Sequence, residues 1–271
     1  MKKFRHIAAL ALAALLALSC AKETQPEGAG EMVTIEYGIT VDSPTKALGD
    51  GKTANYVWYA LYRSNGTLVS ECAAPAKIDA DRKAICPVTM AKEQDYKVVF
   101  LAMHYEGAAS AYTVNAQEMT VSMPSPAQAN SDKFDLFYGV DEVFDFQGAQ
   151  STNVTLNRVV AQVNFELSET AWNDLHVDQT YKSQIQISGA PASMNIWDGT
   201  LGAAATISYA QTQIPAEGRN IGTAYCFASA AGDQKVEASI SLYNAAGTKV
   251  KTTSATAVPV AANRQTNLKI N

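Results

Sequence analysis

The chain has little of what usually carries chemistry. It holds three histidines in 271 residues. His6 falls in the first twenty residues, which leaves His104 and His176 for any site. Neither stands in an H-E-x-x-H, and the two are not spaced i, i+4, so a histidine-rich metal site is not expected. None of the four cysteines shows the C-x-x-C spacing of zinc or dithiol sites. No G-x-S-x-G occurs, which removes the nucleophile elbow. Positive charge is not in excess: 21 Lys and Arg stand against 26 Asp and Glu, a net charge of −5. That balance argues against nucleic acid and against an electrostatic grip on anionic lipid. Helical periodicity is almost missing, with one hint at Glu169 to Leu175. After residue 20 no apolar run approaches the roughly 20 residues that span a bilayer.

What is present begins at the N-terminus. Lys2, Lys3 and Arg5 precede an Ala/Leu run from Ile7 to Leu18, which closes on Ser19-Cys20. A charged start, a short apolar core and a small residue at the cut describe a secretory signal. Leu16-Ala17-Leu18-Ser19-Cys20 resembles a bacterial lipobox. That resemblance implies removal of residues 1–19, acylation of Cys20 (palmitate among the acyl groups) and attachment to outer-membrane lipid at the cell surface. Loss of the three positive charges in 1–19 takes the net charge of −5 to −8. Residues 20–31 are Gly, Pro, Glu and Lys without periodicity and read as a flexible tether.

From Met32 the pattern has a period of two. Val33, Ile35, Tyr37, Ile39 and Val41 alternate with polar or small residues, which places one face on a core. Tyr56–Arg63 and Thr67–Cys72 flank Ser64-Asn65-Gly66, a hairpin signal. Ile85–Met90 follows. Tyr96–His104 is apolar on both faces, as in a central strand. Residues 108–135 read as loop with short edge strands. Later strands are expected at Val159–Leu167, Gln184–Ser188, Thr223–Ala228, Val236–Tyr243, Lys249–Thr253 and Thr266–Ile270. Many short strands with frequent turns predict an all-β chain of β-sandwiches. Two comparable halves give domains at 32–150 and 151–271.

No catalytic constellation emerges. Gly49-Asp50-Gly51-Lys52-Thr53 is half a phosphate loop, but a strand rather than a helix follows. Asp79-Ala80-Asp81 starts like a calcium loop and continues with Arg82 and Lys83 where oxygen ligands are needed. Asp141 and Glu142 are neighbours in one strand and point to opposite faces, so they do not converge on a substrate. Trp58, Trp172 and Trp197 are too scattered to define a sugar platform. Export permits disulfides, and Cys72 and Cys86 are candidates to pair across one loop. Cys226 reads as a small core residue. The expectation is a non-enzymatic protein with no metal and no cofactor.

Taken together, the residues resemble the fimbrillin superfamily of Bacteroidales lipoproteins. The resemblance rests on the lipobox at Cys20, on Val33–Val41 followed by Thr45-Lys46-Ala47-Leu48, and on Tyr59-Ala60-Leu61-Tyr62 with Asn65-Gly66. It continues through Val154-Thr155-Leu156-Asn157-Arg158-Val159-Val160-Ala161 and Ile187-Ser188-Gly189-Ala190-Pro191 to Tyr225–Ala228 and the closing stretch Val258–Leu268. It implies two tandem transthyretin-like Greek-key β-sandwiches and a role as structural subunit or anchor in pilus assembly and adhesion. It also implies maturation by a cut between Lys46 and Ala47. The first strand (Val33, Ile35, Tyr37, Ile39, Val41) is then displaced and replaced by a strand from another fimbrial subunit. A second expectation is a monomeric surface lipoprotein that binds glycan or a partner protein, with Trp172 or Trp197 carrying the saccharide.

Overall fold

A computed structural model describes residues 30–42, 52–148, 152–216 and 218–271. The signal segment, Cys20, nearly all of the tether, Lys46 and Ala47 lie outside the described residues. The described chain is almost entirely β. In order come β1 (Met32–Val41), β2 (Tyr56–Arg63), β3 (Leu68–Glu71), β4 (Lys83–Ala91), β5 (Tyr96–Met103), β6 (Leu136–Val143) and β7 (Thr152–Arg158). After them come β8 (Val160–Leu167), α1 (Glu169–Asp174), β9 (Lys182–Pro191), β10 (Ala204–Ala210), β11 (Asn220–Phe227), β12 (Gln234–Tyr243), β13 (Lys249–Val260) and β14 (Gln265–Ile270). The predicted helix is present, with the Ser168 hydroxyl accepting from the Ala171 amide at its N-terminus, a standard cap.

The first sheet runs β3-β2-β5-β6-β7-β1-β4. It folds over one core, so that β1, β4 and β7 face β2, β5 and β6. That core contains Ile35, Tyr37 and Ile39 from β1, Val88 from β4, Phe100 from β5 and Leu156 from β7. The opposite face of β2, β5 and β6 is buried too, through Trp58, Tyr62, Val99 and Leu101. β5 is therefore apolar on both sides, as its sequence predicts. β7 belongs to this first sheet, pairing parallel with β1 and antiparallel with β6. The sheet boundary thus falls after Arg158 rather than at 150, because Val154 and Leu156 complete the first core.

The C-terminal sandwich packs the sheet β10-β9-β12-β13 against the three strands β11-β8-β14. Val163 and Phe165 meet Ile185, Ile187 and Ile240 in its core. β8 runs antiparallel to β11 and parallel to β14. Its outer face carries Gln162 and Asn164, which sequence alternation leaves exposed but which are buried here. They bond laterally: Gln162 Nε2 donates to Asn164 Oδ1 (2.9 Å), and Asn164 Nδ2 to Asn267 Oδ1 (3.0 Å), while Gln162 Oε1 is buried without a partner.

The β2–β3 turn differs in detail from a two-residue hairpin. Gly66 takes φ +88° while Asn65 keeps a negative φ. Asn65 instead uses its side chain, accepting from the Thr67 amide (3.0 Å). One left-handed glycine after a right-handed turn is the longer hairpin loop, and it accompanies a register shift between Leu61 and Tyr62.

Candidate functional site

The site is the seat of β1. Ile35, Tyr37, Ile39 and Val41 all point inward and are buried, with Val33 partly so. Between them lie Glu36, Gly38 and Thr40 on the outer face, so the period of two read from sequence is realised. β1 has strands on both sides. It pairs antiparallel with β4 from Met32↔Ala91 to Thr40↔Lys83, and parallel with β7 from Tyr37↔Thr152 to Val41↔Leu156. Withdrawing it therefore uncovers two backbone edges and one row of apolar pockets.

Tyr37 is the centre of the row. Its ring packs on Phe100 with centroids 5.1 Å apart, and its hydroxyl crosses the core to donate to Asp141 Oδ2 (3.0 Å). Burial, with the Asp141 carboxylate next, keeps the Tyr37 hydroxyl protonated far above its ordinary range. Burial likewise raises the Asp141 carboxyl, against the lowering effect of the Tyr37 hydrogen bond. Glu142 faces the other way, 2.8 Å from Lys97 Nζ. The two carboxylates thus serve opposite faces, as strand geometry requires.

The far end of β1 is clamped by a residue that sequence reading placed in a loop. Arg82 has φ +63°. Its carbonyl accepts from the Val41 amide (2.9 Å), and its guanidinium donates to the carbonyls of Val41 and Asp42 (both 3.1 Å). Asp79 builds the turn that aims it, accepting from the amides of Asp81 (2.9 Å) and Lys83 (2.8 Å). The segment that starts like a calcium loop is thus a structural turn. Among the described residues no cluster of His, Cys, Asp or Glu is arranged to hold a metal.

The remaining candidates do not join this site. The pairing of Cys72 with Cys86 is corrected: both are free. Cys86 is buried in the first core, and burial pushes its thiol up to about 12, so the thiolate needed for disulfide exchange is scarce at neutral pH. Cys72 Sγ instead accepts from the Tyr59 amide (3.5 Å). Cys226 is buried and pushed up to about 12 by that burial, in keeping with a core role. His104 Nδ1 sits 2.8 Å from the Thr53 carbonyl, a strand-end bond. Trp58 is buried. Trp197 has the Lys97 ammonium over its ring at 4.3 Å and Tyr62 edge-on at 5.9 Å, so that ring face is occupied. Trp172 is half-buried and walls an open cleft of about 510 Å³ with Glu166, Glu169, Asn173 and Arg219.

A model of a family of unknown function, DUF6562, matches residues 30–271. Among solved structures, a candidate polysaccharide-binding protein (DUF1812) from Bacteroides thetaiotaomicron aligns with a TM-score of 0.56 at 16% identity, covering 88% of this chain and 90% of that one. A candidate adhesin from Bacteroides ovatus aligns at 0.52 and 14%, covering 82% and 76%. A candidate cell-adhesion protein from Parabacteroides distasonis aligns at 0.50 and 11%, covering 84% and 81%. At these identities the likeness is one of fold, and it extends over most of each chain. It matches the all-β architecture expected from sequence. No curated protein matches the chain.

Proposed function

We propose, for a chain that belongs to the DUF6562 family of unknown function, the role of a non-enzymatic surface protein of fimbrillin type. It is held to outer-membrane lipid through acylated Cys20 and acts as a structural subunit or anchor in pilus assembly and adhesion. The observation that carries this reading is the placement of β1 between β4 and β7. A strand so placed is the removable part of a strand-exchange joint, since an open edge with apolar pockets is a template for strand addition.

The energetics favour exchange over simple loss. Burying one large apolar side chain contributes about 1.5–3 kcal/mol. The four inward residues of β1 together are therefore worth roughly 6–12 kcal/mol, an upper estimate. That is comparable to the whole stability of a domain, about 5–15 kcal/mol. A chain cut after Lys46 holds β1 by non-covalent contacts alone, and once the strand leaves, the vacancy demands a replacement. The same cut breaks the covalent link to the lipid at Cys20, so the departure of β1 both opens the groove and frees the subunit from its anchor.

The test is N-terminal mass spectrometry of the protein from outer membranes of its native host. An N-terminus at Ala47 supports polymerisation by strand exchange. Acylated Cys20 on every molecule supports an uncut fibre anchor. An unacylated N-terminus between these positions removes both.

A second reading has its own observation. The Trp172 cleft combines an aromatic wall with two carboxylates and an arginine, and the polysaccharide-binding candidate shares this fold. In that reading the chain is a monomeric glycan binder that keeps residues 21–46, and Trp172→Ala abolishes saccharide binding. Glycan-array binding unchanged by Trp172→Ala sinks it.

A further inference from the structure

The end of the first sandwich where the chain enters carries exposed apolar side chains that the β1 groove does not use. β1 begins at Met32, and just before it Glu31 is fixed twice. Its carbonyl accepts from the Lys92 amide (3.0 Å), and its carboxylate pairs with Lys92 Nζ (2.8 Å). The β4–β5 turn that supplies Lys92 is stitched to the segment after β6. Phe146 N–H donates to the Gln94 carbonyl (3.0 Å) and Glu93 N–H to the Phe146 carbonyl (2.7 Å). Asp145 N–H donates to Asp95 Oδ1 (2.8 Å). The β2–β3 hairpin joins the same end through Ser64 N–H and the Asp95 carbonyl (3.3 Å).

On this fastened tip Phe144 is 70% exposed and Met32 52% exposed, while Phe146 is fully buried. Phe146 is the ring that closes the core. Phe144 adds nothing to packing and stands in solvent on a turn held by hydrogen bonds at both neighbours.

We propose that this tip rests on the bilayer surface, with Phe144 and Met32 entering the boundary between headgroups and acyl chains. The proposal rests on the reading of Cys20 as the lipid anchor. Cys20 and Gly30 are ten residue steps apart, and a chain of that length reaches at most about 33–36 Å. β1 has ten residues as well, so its far end lies roughly 30 Å beyond Met32 at about 3.3 Å per residue. The end that carries Met32 and Phe144 is therefore the end within shortest reach of the acylated cysteine. Aromatic side chains favour this interfacial depth, and a single lipid signal gains from a second contact. The charges nearby select the surface. Glu31, Glu93, Asp95 and Asp145 outnumber Lys92 and Arg63, so a neutral, zwitterionic headgroup layer fits and an anionic one is repelled.

The experiment uses the acylated full chain in phosphatidylcholine vesicles that carry lipids brominated near the top of the acyl chain. Phe144→Trp is compared with the parent, whose three tryptophans give the background, and with Thr40→Trp at the exposed far end of β1. The expected result is blue-shifted emission from position 144, quenched by bromolipid and shielded from iodide, with none of this at position 40. Phe144→Ser is expected to speed transfer between vesicles roughly tenfold, a modest share of what burying a phenyl ring supplies. Water-like emission at both positions, in protein that floats with the vesicles, overturns the proposal and leaves the anchor standing. A blue shift that appears only at high protein density assigns the tip to a neighbouring copy and also overturns it. Protein that does not float overturns the anchor, and the tip assignment with it.

Discussion

At the scale of single residues, the Tyr37–Asp141 contact makes a pH-dependent statement about the first strand. Burial raises the Asp141 carboxyl above its ordinary value of about 3.8. A raised carboxyl means that the folded state binds the proton more tightly than the unfolded chain does. Its contribution to stability is then greatest below about 3.8 and declines as pH rises through the raised folded value. Asp141→Asn keeps an oxygen to accept from Tyr37 and removes the charge. The variant is expected to melt higher than the parent at pH 7, with the difference vanishing near pH 3. Melting curves across that range decide it, and a variant that melts lower at every pH refutes the sign. The buried pair Arg158–Asp135 is the opposite case. It is 3.0 Å apart with both side chains 1% exposed, and removing one partner of such a pair costs about 3–5 kcal/mol. Asp135→Ala is accordingly expected to lose a large part, though not all, of the roughly 5–15 kcal/mol margin of a typical domain in a denaturant titration. The opposite facing of Asp141 and Glu142 was legible from strand geometry alone. Arg82 was not, because its function depends on a left-handed backbone and on a partner 41 positions away.

At the scale of elements, β1 is the clearest test of alternation. Ile39 is 1% exposed, and its truncation to Ala is expected to cost about 2–5 kcal/mol. Thr40, next along the strand and on the outer face, is expected to cost no more than about 0.5 kcal/mol as Ala. Replacing Ile35 and Ile39 together by Asp places two carboxylates in the core and is expected to unfold the precursor. An unchanged melting temperature would remove β1 from the core and the strand-exchange reading with it. Strands such as β1, β4 and β12 were legible because one buried face forces a period of two. β6 was read only at Asp141 and Glu142, and its span from Leu136 through Gly139 was not. The structure gives the reason for the glycine: a Cβ there would sit 2.7 Å from Leu156 Cδ2 and 3.2 Å from the Thr155 carbonyl, so the close approach of β7 requires glycine. The edge strand β13 also ran past its expected end, to Val260. Its Lys249, Lys251 and Pro259, with Ala257 at φ +54°, are devices that discourage edge-to-edge pairing. Of the two edges under β1, β4 carries such residues in Lys83 and Pro87, whereas β7 has neither Lys nor Pro.

At the scale of the whole molecule, the two halves share a core rather than touching at a surface. One cluster of buried residues takes Trp58, Tyr62, Val99 and Leu101 from the first sheet and Val163, Phe165, Ile185 and Ile240 from the C-terminal sandwich. Shorter links reinforce it. Thr120–Ser122 pairs with Ser193–Asn195, Ala127–Gln128 pairs with β10, and Lys97 Nζ donates to the Trp197 carbonyl (3.0 Å). Sequence showed two comparable halves but not this seam, because a strand buried on both faces looks the same whether its second cover is local or distant. Inter-domain surfaces within a chain are ordinarily more polar and permit relative motion; an apolar seam of this kind couples the halves. The intact chain is therefore expected to unfold in a single calorimetric transition with matching calorimetric and van't Hoff enthalpies. A fragment starting at residue 151 would carry β7 without β1 or β6 and would bare the apolar seam. It is expected to lack fixed tertiary structure by near-ultraviolet circular dichroism. Two separated transitions in the intact chain, or a well-folded fragment, would make the seam an ordinary surface contact. A single transition would mean that loosening β1 is felt by the C-terminal sandwich, so that strand exchange at one end of a subunit reports to the other.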